Sequence, residues 1–309
     1  MASNPSWGSG ISAGLLFLML SASPTISQHF AADVPQIQAA EIDPARLDAA
    51  RGFMQAAQFE KQSARGVSGL INRLSSQIMP ILTNALPPEK RTAETPKLFE
   101  ESSVEIEKVV ANKFRQWIDR VTMAYARAMS TEQLTAISEF YRSSLGQKFM
   151  RASPVNVEGM GFLIVDWLTG KPAQLPGNTD PTAIDAAREA IRMSKSDKLL
   201  DEFLVLMSGP PDGIELRGDP KWIDTIRTNL TRRNEMLEFI AAVWARRFTI
   251  EEMQTITAFY RTPIAASVAE VIPAITREQT KITTAFYKEC SADLSVWTDD
   301  MLKKLDSQP

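Results

Sequence analysis

Two tripeptides, Phe140-Tyr141-Arg142 and Phe259-Tyr260-Arg261, carry the side chains best suited to recognise a ligand in this sequence. A tyrosine beside a guanidinium can hold an anion or stack on an aromatic group, since arginine offers a rigid fork of donors and the phenol a flat apolar face. The same residues can instead lock a corner between two helices. The rings would then lie inside, and the hydroxyl and the arginine would satisfy nearby helix ends or Glu132 and Glu251. The packing corner is the preferred reading, with the recognition pair as its rival.

Outside these tripeptides the reactive inventory is short. The only histidine is His29, close to the N-terminus, so Ser-His-Asp, Cys-His and histidine-based zinc chemistry have no general base or ligand in the body of the chain. No G-x-S-x-G, G-x-x-x-x-G-K-[ST], G-x-G-x-x-G, S-x-x-K or calcium-loop pattern occurs. Cys290 is the only cysteine, which rules out an intramolecular disulfide. It follows Phe286-Tyr287 on a helical pattern and reads as a small packing residue. Asp299-Asp300 and Glu100-Glu101 read as solvated helix faces. A glycosidase-type pair of carboxylates stays open as an alternative, because such pairing is spatial and leaves no mark on spacing. No catalytic, cofactor-binding or metal-ligating residue is expected, and no cofactor.

Composition sets the class. The chain has 309 residues, 44% of them hydrophobic, with only 14 glycines, which favours helix over sheet and allows about two cores. A net charge of −3 leaves no broad basic surface for phosphates, so nucleic acid is not an expected partner. Residues 1–27 lack Asp, Glu, Lys and Arg and contain the apolar run Ile11–Leu20. This predicts a signal peptide, cleaved before Gln28 or after Ala32, and a periplasmic or secreted protein. An apolar run of roughly ten residues is too short to cross about 30 Å of hydrocarbon, so no stable membrane span is expected.

The tripeptides are part of a duplication. At an offset of 260−141 = 119, Ala126, Arg127, Glu132, Ile137, Phe140, Tyr141, Arg142 and Pro154 meet identical residues. An earlier block, Asp48-Ala-Ala-Arg51 against Asp185-Ala-Ala-Arg188, has an offset of 185−48 = 137, so the first copy holds 137−119 = 18 extra residues between the blocks. Helix starts recur too: Asp43-Pro44 and Asp180-Pro181 place an N-cap before a proline, and Ser130–Gln133 and Thr249–Glu252 are capping boxes. Helices are predicted near 44–64, 67–84, 97–128, 131–143 and 146–167, then 181–194, 197–208, 220–247, 250–261 and 263–303. Phe162–Val165 is read as buried helix. The fold class is all-α, two tandem related helical-bundle domains at 42–168 and 181–305, joined by a Pro/Gly linker at 169–180.

Glu132–Phe149, with its Phe-Tyr-Arg followed by Ser-Ser-Leu-Gly, resembles the signature of the domain-of-unknown-function family numbered 2059, and Glu251–Pro263 resembles a second copy. The second departs where Gly146 becomes Ala265 and Gln147-Lys148 become Ala266-Ser267, so whatever depends on those polar positions is confined to the first. The resemblance implies a helical, exported bacterial protein and brings no catalytic residues. The function expected is an exported binding or envelope-associated module taking a protein or an apolar ligand, without catalysis. The alternative is a His-free, carboxylate-dependent hydrolase of the envelope. Oligomeric state is left open.

Overall fold

A computed structural model describes residues 42–152, 167, 180–208, 228–229 and 231–306. The expected leader at 1–27, His29, Pro154, Phe162–Val165, the linker up to residue 179 and the loop at 209–218 lie outside them. Among the described residues all regular structure is helical: α1 Pro44–Ala56, α2 Phe59–Ala85, α3 Arg91–Ala128, α4 Thr131–Arg142, α5 Ser144–Arg151, α6 Pro181–Met193, α7 Ser196–Ser208, α8 Arg233–Arg247, α9 Ile250–Arg261 and α10 Pro263–Asp306. None of these helices is long and apolar enough to cross a membrane.

The helix boundaries repeat with the sequence. Asp43 and Asp180 each accept the backbone N–H two residues on, at 3.1 and 2.9 Å, ahead of a proline in the first turn. Each then opens a helix of 13 residues. Both helices end in a left-handed turn, at Gln58 (φ 49°) and Lys195 (φ 54°), which lie 195−58 = 137 apart. The turn shortens α1 relative to the prediction: the first helix stops at Ala56, and Gly66, near the break expected between 64 and 67, lies inside α2. The connection expected between the helices ending near 84 and starting near 97 is shorter as well. Arg91 donates to the carbonyls of Leu86 and Asn84 at the end of α2, and Thr95 hydroxyl donates to the Arg91 carbonyl at 2.6 Å. These bonds support a helical start five residues ahead of Pro96, which α3 absorbs. Pro273 likewise stands inside α10, which runs on to Asp306.

The chain forms two compact bodies, and their composition does not follow the two halves of the sequence. One body takes Glu60–Val121 with the chain from Lys281 onward. Among the described residues the other takes those from 42 to Phe59 and from Thr122 to Thr280, and both Phe-Tyr-Arg corners belong to it.

In the first body, α2 buries Leu70, Leu74, Ile78 and Leu82, one residue per turn. The α3 face is Leu98, Ile106, Val110 and Trp117, and the α10 face is Phe286, Cys290 and Leu294. Trp117 packs on Phe286 with ring centroids 6.0 Å apart and donates its indole N–H to the Thr283 hydroxyl at 3.0 Å. Arg120–Glu289 at 2.6 Å and Lys113–Asp293 at 3.1 Å flank them. Thus the last helix of the second copy completes the helix pair of the first. In the second body Arg232 lies over the Trp167 ring at 5.2 Å, and Asn229 donates to the Trp167 carbonyl at 3.3 Å. Trp167 corresponds to Phe286, and Arg232 to Lys113, at the same offset of 119.

Candidate functional site at the paired corners

The second body brings the two tripeptides together, and the local chemistry of each corner explains how. Ser130 and Thr249 close reciprocal capping boxes with Gln133 and Glu252, each hydroxyl accepting at 3.2 Å and each third residue accepting back at 2.8 Å. At the other end, the Ser143 hydroxyl donates to the Phe140 carbonyl at 2.6 Å and accepts the Gly146 N–H at 2.9 Å. Thr262 repeats both bonds with Phe259 and Ala265, at 2.8 and 3.3 Å. One hydroxyl thereby terminates a helix and starts the next, which fixes the corner that presents Phe-Tyr-Arg.

The corners then pair with each other about an internal two-fold relation. Phe140 stacks on its own counterpart Phe259, with centroids 4.2 Å apart and planes 9° from parallel. The Tyr141 and Tyr260 hydroxyls share a hydrogen bond, again between a residue and its counterpart. Lys148–Glu252 at 2.5 Å and Gln133–Ser267 at 2.8 Å are images of one contact, since Lys148 corresponds to Ser267 and Gln133 to Glu252. Residue i meeting j while the image of j meets the image of i is the signature of an isologous interface. Partial burial opposes the Glu252 charge, but the hydrogen bonds from Lys148 and the Thr249 N–H outweigh it and hold its carboxyl below the usual range.

Around this axis the hydroxyls are shielded from water. Burial pushes Tyr141 up to about 12, with partial relief from the Tyr260 hydrogen bond. Burial raises Tyr260 well above its ordinary value, reinforced by Tyr141, and does the same to Tyr125, which lies against the same ring system through Phe53 at 4.9 Å. Phenols held this way keep their protons at neutral pH and serve as packing groups. Phe149 fits edge-on against Trp244 at 5.5 Å, and the buried Trp244 indole donates to the Ala152 carbonyl at 3.0 Å.

The polar positions peculiar to the first copy are used within it and across the pair. Gln147 donates to the carbonyls of Ala56 and Tyr141 at 2.7 and 2.6 Å and accepts from Gln58 at 2.9 Å, tying the left-handed turn to the α4–α5 corner. Gly146 is required by close approach. A Cβ there would overlap the Phe140 carbonyl and come within 2.8 Å of the Tyr141 Cα. Ala265 has that Cβ, so the second corner must be more open at this point.

Of the six residues expected at the site, Tyr260 is buried, Phe140, Tyr141 and Phe259 are half-buried, and Arg142 and Arg261 are exposed. The arginines do not use Glu132 or Glu251 as expected. Those acids stand at the opposite end of a 12-residue helix, roughly 15 Å away. Arg261 instead reaches Glu189 on α6 at 3.1 Å, a carboxylate also held by Arg192 at 2.8 Å. Glu189 was not singled out in the sequence, although the offset of 137 places it opposite Gly52. Cys290 is fully buried, and burial pushes its thiol up to about 12 in spite of Lys113, as befits a packing residue. Among the described residues no three His, Cys, Asp or Glu side chains gather as a metal site.

No curated protein and no solved structure matches the chain. Residues 116–167 and 234–291, which include the two corners, each match the family described as "Uncharacterized protein conserved in bacteria (DUF2059)", consistent with two tandem copies of that family.

Proposed function

We propose that this protein is a non-catalytic helical binding module, exported by its uncharged apolar N-terminus and acting in the bacterial envelope through contacts with another protein. The observation that carries the reading is the distribution of its chemistry. The phenols and the thiol are turned inward, whereas among the described residues four large apolar side chains, Ile81, Phe99, Val104 and Val296, stand 50–64% exposed, all in the body formed by α2, α3 and the end of α10. Apolar groups concentrated on one body support protein contacts.

The test is crosslinking in the exporting cell with a tagged full-length chain, beside a variant carrying Phe99→Glu and Val104→Glu. The expected result is one discrete crosslinked partner in the envelope fraction, lost in the variant at unchanged thermal stability, with the mature N-terminus between Gln28 and Asp33. A product retaining Met1 in the cytoplasm, or hydrolytic turnover by the purified protein, would overturn the reading.

A further inference from the structure

We propose that Arg142 is the receptor for an acidic side chain of a partner protein, a site present in the first copy and closed in the second. The proposal rests on the binding-module reading. Its warrant is a comparison the molecule makes with itself. α1 packs on α4 as α6 packs on α9, so equivalent positions face each other in both copies. In the second, the Arg261 guanidinium is occupied by Glu189 at 3.1 Å. In the first, position 189−137 = 52 is glycine, and Gly52 lies directly beneath Arg142: a Cβ built on it would sit 3.7 Å from Arg142 Nη2. The first copy has no carboxylate at this place under the guanidinium, while the arginine, its helix end and the corner are the same.

What fits this place is what Glu189 supplies in the other copy, a side-chain carboxylate presented to the planar fork of an arginine. The second holder of Glu189 is missing too, since Arg192 corresponds to Gln55. That leaves one guanidinium, enough for a single acidic side chain and too little for a phosphate cluster. Gly52 is half-buried and Arg142 exposed, so an incoming chain can reach both.

The experiment follows the side-chain NMR signals of Arg142 and Arg261 in the full chain during titration with a blocked glutamyl-glutamate dipeptide at constant ionic strength. Arg142 should shift saturably while Arg261, already paired, moves several-fold less. Gly52→Glu should bring Arg142 to the shifted position without peptide and reduce its response several-fold; the Cβ it adds meets only ordinary contact distance, so the variant folds. Equal responses from the two arginines, or the same shift with chloride alone, would sink the proposal. In the cell, Arg142→Ala and Gly52→Glu should each weaken the crosslink described above several-fold. A crosslink that survives both substitutions overturns this site while leaving the binding-module reading intact.

Discussion

Alkali should unfold the body that holds the paired corners, and the tyrosines set both onset and steepness. Tyr125, Tyr141 and Tyr260 all have hydroxyls raised above the ordinary value of 10, chiefly by burial, Tyr141 to about 12. Each ionises less readily in the folded chain than in the unfolded one, so above pH 10 the unfolded state releases protons that the native state keeps. The stability tied to these groups is fully present below pH 10 and is lost as the pH climbs from there toward 12 and beyond. One phenol costs about 1.4 kcal/mol per pH unit in that window, and three cost about 4. Two to three pH units therefore remove roughly 8–11 kcal/mol, enough to unfold a domain in the lower two-thirds of the usual net range of roughly 5–15 kcal/mol. Circular dichroism and tyrosinate absorbance, recorded together on raising the pH, should change in one cooperative step above pH 10. Cys290, raised from 9 to about 12, adds an earlier and shallower loss from pH 9 in the other body, which Cys290→Ala removes. Tyrosinate absorbance that reaches full amplitude near pH 10 with helicity intact would refute the reasoning, because it would place the hydroxyls in water.

Three further outcomes follow from the same geometry. Tyr141→Phe and Tyr260→Phe should each cost about 1–3 kcal/mol in urea unfolding, since each leaves the other hydroxyl without its partner, and the double variant should be less than additive. Alanine at either position should cost roughly 3–5 kcal/mol if the ring is as well packed as Phe140 and Phe149 make it. Gly146→Ala should destabilise by about 1–3 kcal/mol, while Ala265→Gly costs at most about 1, and equal effects would show the two corners to be equally open. Because the end of α10 packs on α3, residues 1–175 and 176–309 expressed apart should be poorly folded, and co-expressed they should copurify as a helical complex; two stable monomers would overturn the importance of that packing.

Much of the corner was legible in the sequence because its determinants are local. The capping boxes and the aspartate–proline starts at Asp43 and Asp180 act within three residues of themselves, and each appears in the structure as the spacing predicts. The left-handed turns were not legible, since Gln58 and Lys195 are not glycines and nothing in their neighbourhood distinguishes them from helix interior. Gly66 offered a more obvious break and was passed over. The acidic partner of Arg261 was missed for a different reason: Glu189 is 72 residues away in sequence, and only alignment of two blocks with different offsets brings it opposite Gly52. The pairing of Phe140 with Phe259 was equally hidden. A duplication states that two surfaces are alike, and it does not state that they face each other.

The two offsets also account for the existence of the first body. From Gln58 to Lys113 the first copy spans 55 residues, and from Lys195 to Arg232 the second spans 37, so the 18 extra residues fall in α2, α3 and their connection. The apolar faces that α2 and α3 carry through this span need a cover. The cover comes from α10, which runs 306−286 = 20 residues past Phe286, the counterpart of Trp167, and buries Cys290, Leu294 and Thr298 along that extension. Insertion in one copy and extension in the other are thus two halves of one core. Neither is stable without its complement, because an unpaired apolar stripe on a solvated helix loses the burial that holds it folded.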